Sequence, residues 1–519
     1  MALKFPAIIH RIDSALIALD ACEVFELSIP PALALEAMTK DSDNTDEHDK
    51  QQINFQAGMG SNYERLEFLG DSFLKMATTI AIFTRKPKGD ECLYHVERML
   101  LICNQNLFNT AVDCKLPEYI RSLAFDRRTW YPDLTLIKGK ALKAKKKQSL
   151  ADKTIADVCE ALIGAAYLSS KDDKMNMAVK AVTQMVRSKH HSMVAFDDYY
   201  AAFKVPDWQK ANSNANQRRL VQKVEEAIGY HFKSAPLLES AFTHPSYTYS
   251  GSVPHYQRLE FLGDALLDMA IVEYLYMNFP LADPQWLTEH KMAMVSNHFL
   301  GCLCVKLNLH HHLLANYAIF SSEIRDYVIE LEAAEEEARK EAEQEGISMR
   351  MDFWRNIKPP PKAYADSVEA LVGAMFVDSK FDYSVVEKFF TEYIVPYFED
   401  MSLYDTFANK HPVTILTKIM QQQVGCKAWS MASRAVVPDA ERGMDVATEN
   451  DVRSGFIAHE VVITSYVSSS GWSGKMKAAE LAIELLESFG GDMTAARKRL
   501  GCDCDIQVDD VEIDHGTAV

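Results

Sequence analysis

The chain has 519 residues, of which 48% are hydrophobic and 25% charged, with a formal net charge of −18 at pH 7. These are the proportions of ordinary globular protein, and the length suggests about three domains of roughly 150 residues. No apolar run approaches the roughly 20 residues that cross a bilayer, which argues against a membrane protein.

The first stretch, MALKFPAIIHRIDSALIALDACE, is broken by Lys4, His10, Arg11 and Asp13 and does not read as a secretory signal. It reads as an amphipathic helix with Ile8, Ile9, Ile12, Leu16, Ile17 and Leu19 on one broad face. Ten cysteines without a signal segment point to a reducing compartment, cytoplasmic or nuclear, and against a disulfide framework. Cys22, Cys92, Cys103, Cys114, Cys159 and Cys302 sit in apolar helical patterns and are expected as small buried hydrophobes.

Charge is unevenly spread. DSDNTDEHDK (41–50) is an acidic loop, residues 321–346 carry ten acids against three bases, and the segment after Gly501 has six acids and no Lys or Arg. Against these stands the basic run GKALKAKKK (139–147), readable as an RNA contact or a nuclear-import signal. The acidic appendages could therefore coexist with a basic binding surface.

ERLEFLGD (64–71) is followed by DSFLKMATTIAIF from Asp71, in a helical pattern. The word returns as QRLEFLGD (257–264), followed by DALLDMAIVEYLY from Asp264. ERMLLICNQNL (97–107) matches EHKMAMVSNHFL (289–300), aligning Asn104 with Asn297 at the same offset of 193. KTIADVCEALIGAAYLS (153–169) matches KAYADSVEALVGAMFVD (362–378) at an offset of 209, the difference lying in the acidic insertion. Order, wording and helical character all recur, so the chain is a tandem duplication. The expected domains are 1–190 with an N-terminal connector helix, a linker at 191–215, 216–400 with an insertion at 321–361, a small domain at 408–505, and an acidic tail at 506–519. Pro132, the basic run and the insertion look peripheral. The acids after Glu330 come so densely that a solvated helix with little apolar face is expected there.

Residues four apart share a helix face, so Glu67 lies beside Asp71 and Glu260 beside Asp264. On a second helix of each repeat, Asp157 and Glu160, then Asp366 and Glu369, are three apart. Each pair is embedded in apolar sequence, where an acid is costly unless paired or metal-bound. Four carboxylates converging from two helices would make an oxygen-rich site for Mg²⁺ or Mn²⁺, able to activate water for phosphodiester hydrolysis. For one pair alone, a solvated face or an ion pair with Arg65 or Arg258 would explain the acids as well. Gly70 and Gly263 also read as points of close helix crossing.

ERLEFLGD and QRLEFLGD, each followed by D-x-x-E-A-L-[IV]-G-A, resemble the signature of ribonuclease III domains. Two in tandem resemble the carboxyl half of Dicer-like proteins of the fungal type. The resemblance covers roughly 5–190, 216–397 and, less sharply, the chain from 408 on. It implies a mainly α fold: two all-helical ribonuclease III domains forming an intramolecular pseudo-dimer rather than an obligate homodimer, with a valley for double-stranded RNA. It implies Glu67, Asp71, Asp157 and Glu160 as the acids of one catalytic site and Glu260, Asp264, Asp366 and Glu369 as those of the other. Glu67, Asp157, Glu160, Glu260, Asp366 and Glu369 would be the Mg²⁺ or Mn²⁺ ligands. Glu64 matches the family's leading acid, and Gln257 departs from it. Lys153 and Lys362, each four residues before the Asp, are candidates for phosphate or transition-state contact, with Asn104 and Asn297 as further supporting residues. One cut per centre on opposite strands would leave a short 3′ overhang, as in RNA silencing. Argonaute-pathway proteins or upstream Dicer domains would be partners. No P-loop is present, so no ATPase activity is expected.

KHPVTILTKIMQQQVG (410–425) reads as a helix, FIAHEVVITSYVSS (456–469) as a strand, and SGWSGKMKAAELAIELLESFG (470–490) as a loop opening a helix. This resembles an α-β-β-β-α double-stranded-RNA-binding domain, with Lys475 and Lys477 as phosphate contacts and Gly474 where a base would be expected. Cys426, His459 in the strand, Cys502 and Cys504 form a Cys₃His set suited to structural Zn²⁺, with His515 as a spare ligand, and their order resembles a zinc site of the same proteins. The competing readings are a protein that binds duplex RNA or scaffolds without cutting, and a general nuclease for structured RNA precursors.

Overall fold

A computed structural model describes residues 5–40, 60–87, 89–122, 150–170, 173–247, 253–405, 412–426, 428–435, 452–459, 461–468, 471–489, 493–502 and 504. The acidic loop at 41–50, Pro132, the basic run at 139–147, the acidic tail at 506–519 and His515 lie outside them. The chain forms two compact bodies, one of Met1–Phe320 with Pro361–Glu399, the other of Ser321–Pro360 with Asp400–Val519.

The first body is helical. It opens with α1 (Phe5–Val24) and α2 (Pro31–Ala37). The first repeat follows as α3 (Glu64–Arg85), α4 (Glu91–Ile102), α5 (Asn104–Asp113), α6 (Asp152–Leu168) and α7 (Lys174–Val186), and α8 (Asp197–Ala202) ends it. The second repeat runs through α9 (Ala215–Ile228), α10 (Ala235–Ala241), α11 (Gln257–Asn278), α12 (Pro284–Met294) and α13 (Asn297–Lys306). After α14 (Tyr317–Glu345) it resumes with α15 (Lys362–Asp378) and α16 (Ser384–Phe389).

Local chemistry sets the helix starts. The Asp90 side chain accepts from the Leu93 amide at 2.8 Å and Asp283 caps the Trp286 amide at 2.7 Å, with Pro284 supplying a preset φ at the first helical position. The polar linker around KANSNANQ ends in a capping box, in which Asn214 and Gln217 each accept the other's backbone N–H at 2.8 Å. The core of each repeat is one helix pair, α3 on α6 and α11 on α15, and α3 also packs on α11 across the repeats. Leu66, Leu69, Phe73 and Leu74 of α3 are fully buried there, each contributing about 1.5–3 kcal/mol of burial.

Three expectations need correction. Helix α1 forms, but it buries Ser14, Ala18, Ala21 and Cys22, while Ile8, Ile12, Leu16 and Ile17 are exposed. Small residues let the backbone approach its neighbours, so the packed stripe is the one lacking bulk. Of the six cysteines expected inside, Cys22, Cys159 and Cys302 are buried, Cys103 and Cys114 are half-buried, and Cys92 is exposed. The acidic insertion is not a fully solvated helix, since Tyr327 and Leu331 of α14 are buried. Spaced four apart, they give it a narrow apolar stripe that the surrounding acids mask in the sequence.

In the second body, α17 (Pro412–Lys418) runs into a π turn at Ile419–Gln423. It is followed by β1 (Trp429–Ala435), β2 (Val452–Ala458), β3 (Val461–Ser468), α18 (Gly471–Glu487) and α19 (Met493–Arg499). The strands form an antiparallel sheet in the order β1-β2-β3, with Phe456 opposite Met431 and Thr464. Phe456 and Ala458 pack on Leu416 and Met420 and on Ala479, Ala482 and Leu486 to make a small core. The stretch 456–469 is thus not one strand. It turns at His459, whose φ of 47° is left-handed, and continues as β3.

Candidate functional site

In each repeat two long helices cross at reciprocal glycines. A Cβ on Gly70 would lie 1.8 Å from the Glu160 carbonyl oxygen, and one on Gly164 would lie 2.3 Å from that of Leu66. The second repeat reproduces this: Gly263 would meet the Glu369 carbonyl at 1.8 Å and Gly373 that of Leu259 at 2.3 Å. No side chain fits at either crossing, so the backbones approach until the acids flanking the glycines converge.

Carboxylate oxygens of Glu67, Asp157 and Glu160 lie within 4.8 Å of one another, as do those of Glu260, Asp366 and Glu369. Asp157, Glu160 and Asp366 are buried. Burial and the neighbouring Asp157 push Glu67 up to about 7, and burial and Asp366 push Glu260 up to about 7. Burial, then Asp71 beside Glu160 and Asp264 beside Glu369, together with the other acids of each cluster, hold Glu160 and Glu369 well above the usual carboxylate range. Crowded, dehydrated carboxylates of this kind are a poor arrangement on their own and a good one around a hard divalent cation. The donor sets therefore fit such an ion.

Lysines close both clusters. Lys153 Nζ lies 3.0 Å from Asp157 and 3.7 Å from Glu67. Lys362 Nζ lies 2.6 Å from Asp366 and 3.0 Å from Glu260. The hydrogen bond to Asp157 raises the Lys153 pKa. Desolvation pulls Lys362 down, but its bonds to Asp366 and Glu260 leave it raised.

Two tyrosines were missed. Tyr256 donates its hydroxyl to Asp366 at 2.9 Å, and Tyr63 donates to Asp157 at 3.4 Å. The signal was present, because Tyr stands before both copies of the word, in YERLEFLGD and YQRLEFLGD.

Asp71 and Asp264 lie outside the three-acid clusters. Asp71 keeps an exposed edge although protein surrounds the rest of it, and that edge is what matters to an ion arriving from solvent. Burial raises its pKa, opposed chiefly by Lys291. Asp264 pairs with Lys75 of the other repeat at 3.0 Å. Asn62 donates its side-chain amide to Glu64 at 3.4 Å, while Gln257 donates to Glu91 across the repeats. Asn104 and Asn297 each open a helix and are exposed.

In the second body, ligand atoms of Cys426, His459, Cys502 and Cys504 lie within 4.8 Å of one another. His459 Nε2 is 3.4 Å from Cys426 Sγ and 3.6 Å from Cys504 Sγ. The left-handed turn at His459 aims the imidazole back at the helix end, and its amide is held by the Ala428 carbonyl at 2.8 Å. Arg497, also missed, ties the site together by donating to the carbonyls of Val424, at 2.7 Å, and Cys504. Burial drives the Cys426 thiol up to about 12, so a thiolate there calls for a cation. Three thiols and an imidazole in one shell fit zinc.

Lys477 pairs with Glu480 at 3.2 Å and, with Glu337, Arg350 and Arg355, lines a groove of about 780 Å³ within this body. Lys475 is half-buried. Gly474 has a packing reason: a Cβ would meet the Ser454 and Ser468 hydroxyls at 2.6 and 2.7 Å, so a basic residue there would require both serines to move.

Residues 64–171 and 257–380 match the ribonuclease III domain family, and residues 404–488 match the double-stranded-RNA-binding domain family. Dicer-like protein 1 of Chaetomium globosum is 52% identical over 97% of this chain and 32% of its own length. Dicer-like protein 1 of Neurospora crassa is 49% identical over 100% of this chain and 35% of its own. The crystal structure of Dicer from Giardia intestinalis aligns at 14% identity with a TM-score of 0.36, over 64% of this chain and 54% of that one. The chain thus spans about a third of the length of the curated relatives it matches. Among the described residues, no helix is long and apolar enough to cross a membrane. With two ribonuclease III domains in tandem ahead of a double-stranded-RNA-binding domain, the chain belongs to the family of fungal Dicer-like proteins.

Proposed function

We propose that the chain is a divalent-metal-dependent endoribonuclease that cuts both strands of double-stranded RNA into short duplexes with 3′ overhangs, in RNA silencing. The observation that carries this reading is the pair of equivalent three-carboxylate clusters, one per repeat, each built on the same glycine crossing. Glu67, Asp157 and Glu160 would hold Mg²⁺ or Mn²⁺ in the first centre, and Glu260, Asp366 and Glu369 in the second. Such an ion would supply an activated water and charge stabilisation at the phosphate.

The remaining roles belong to the chain. Tyr63 and Tyr256 hold the Asp157 and Asp366 carboxylates in place. Lys153 and Lys362 are placed to leave their acids and meet a phosphate oxygen when the backbone enters. Asp71 and Asp264 line the edge of each centre, with Glu64 near the first; Asn104 and Asn297 are assigned as supporting residues by the repeat alone. Zn²⁺ on Cys426, His459, Cys502 and Cys504 would be structural, since the set is closed. Lys475 and Lys477 would contact RNA, Lys477 after release from Glu480. The domains would run 1–190, 216–400 and 408–505, with Argonaute-pathway or upstream Dicer domains as partners, in cytoplasm or nucleus.

The test is cleavage of end-labelled duplex RNA with Mg²⁺ by the wild type, Glu160→Gln and Glu369→Gln. Each variant is expected to lose the cut on one strand only and to keep the other. Binding without any cut in Mg²⁺ or Mn²⁺ would instead favour a scaffold.

A further inference from the structure

The two repeats meet about a local twofold relation, visible in reciprocal contacts whose members are exchanged by the 193-residue offset between the repeats. The Arg65 guanidinium lies 4.8 Å from the Tyr276 ring centre, and its counterpart Arg258 lies 4.0 Å from that of Phe83, the counterpart of Tyr276. Arg98 sits 4.4 Å over Phe261, and its counterpart Lys291 sits 5.7 Å over Phe68. Each of these contacts pairs a cation with an aromatic ring in both directions. They would form as well between two copies of the same repeat as between the two different ones.

Lys75 and Asp268 break this symmetry. They are also 193 apart, so they occupy the same position in the two repeats, yet they carry opposite charge and touch at 3.7 Å. Equivalent positions in contact lie at the twofold axis, where a pair of identical repeats would set a residue against itself. Asp268 is buried, with both oxygens 3.0 Å from Lys291, and Lys75 reaches on to Asp264 at 3.0 Å. Arg98 lies within electrostatic reach of Asp71, Asp264 and Asp268. The group holds three cations (Lys75, Arg98, Lys291) and three carboxylates (Asp71, Asp264, Asp268). Two first repeats would bring together four cations and two carboxylates. Two second repeats would bring two cations and four carboxylates. Only the unlike pair balances, and in a dehydrated interface imbalance is strongly unfavourable.

We propose that Lys75 and Asp268 select pairing of the two unlike repeats within one chain against pairing of like repeats from two copies of it. The tether alone favours the intramolecular partner by effective concentration. The charge pair makes the alternative unfavourable, which matters when a first repeat is formed before its second repeat exists.

The experiment uses the full chain refolded from urea at increasing protein concentration, with mass read by sedimentation and stability by thermal melting. Wild type is expected to return as monomer. Lys75→Asp and Asp268→Lys, each placing like charges at the axis, lower the melting temperature. The double exchange K75D/D268K is the mirror image of the native group, with Arg98 taking the place of Lys291, and recovers most of that loss. The neutral pair K75Q/D268N removes the selection and yields severalfold more dimer than wild type, whether or not the single reversals fold. A neutral pair as monomeric as wild type, or a double exchange no more stable than the sum of its singles, overturns the proposal.

Discussion

Replacing Gly70 with Ala adds one methyl group where the structure has room for none. The new Cβ would lie 1.8 Å from the Glu160 carbonyl oxygen. Ordinary contact needs roughly 3.5 Å, so α3 and α6 must part by about 1.7 Å. The obstacle is backbone, so no side-chain rotation relieves it. Overpacking of a core usually costs about 1–3 kcal/mol, and a rigid obstacle lies at the upper end. At about 2–4 °C per kcal/mol, the melting temperature of the variant should fall by on the order of 5–10 °C. The consequence for activity is larger than that for stability. Glu67 and Asp71 stand on one side of the crossing and Glu160 on the other, so the first cluster spreads, and a misplacement of about 1 Å can reduce a rate by roughly 100-fold. The assay is strand-resolved cleavage of a duplex below the melting temperature: G70A should lose one strand's cut by on the order of 100-fold and largely keep the other. The matching Gly263→Ala should give the complementary pattern. A G70A protein that melts with wild type and cuts both strands alike would show that the crossing does not set the geometry of the acids.

Glu67 and Glu260, with folded-state values of about 7 against 4.5 for a free carboxyl, bind more protons folded than unfolded, so the metal-free chain loses stability as pH rises from about 4.5 through 7. Mg²⁺ replaces those protons, so the gain in melting temperature on adding Mg²⁺ over chelator should widen across that range; a gap independent of pH refutes this. Tyr256→Phe removes the 2.9 Å bond to Asp366 and should weaken the second centre's cut by about 10-fold, whereas Tyr63→Phe, which loses a bond of 3.4 Å, should do less. Equal effects would mean that hydroxyl distance is not what matters. Stripping zinc with a chelator, or Cys504→Ser, should abolish a separate melting transition of the second body while leaving Mg²⁺-dependent stabilisation of the first intact, with about one zinc per chain before treatment. An unchanged melting profile with no zinc detected would leave the four ligands as an unmetallated cluster.

The carboxylates were legible because the chain states them twice: a repeated eight-residue word fixes both helix and face, and the glycine within it announces the crossing. The Cys₃His group was legible in membership but not in geometry. HEVV offers no Gly, Pro or Asn to mark a turn, so the hairpin at His459 is set by the pairing of β2 with β3, a long-range matter that local pattern does not carry. The orientation of α1 misled for a related reason, since periodicity says which residues share a face but not whether bulk or smallness is wanted against the neighbour. Tyr63 and Tyr256 were readable and overlooked. The opposite charges of Lys75 and Asp268 were visible as a mismatch in the repeat, but only contact across the interface gives that mismatch a meaning.

The second ribonuclease III domain is interrupted in sequence, because Ser321–Pro360 belongs to the other compact body. During synthesis this orders events in time. The first cluster is complete in sequence once Glu160 has been made, while the second waits for Glu369, which follows the interrupting segment. At about 5–20 residues per second the 209 intervening residues take roughly 10–40 s. For that interval α3 and α6 can cross while α11, against which α3 will pack, is still being made or lacks its own partner α15. A nascent chain therefore passes through a half-built pair of repeats with the charged face of α3 uncovered, and the acidic helix lengthens that passage by its own share of the 209 residues.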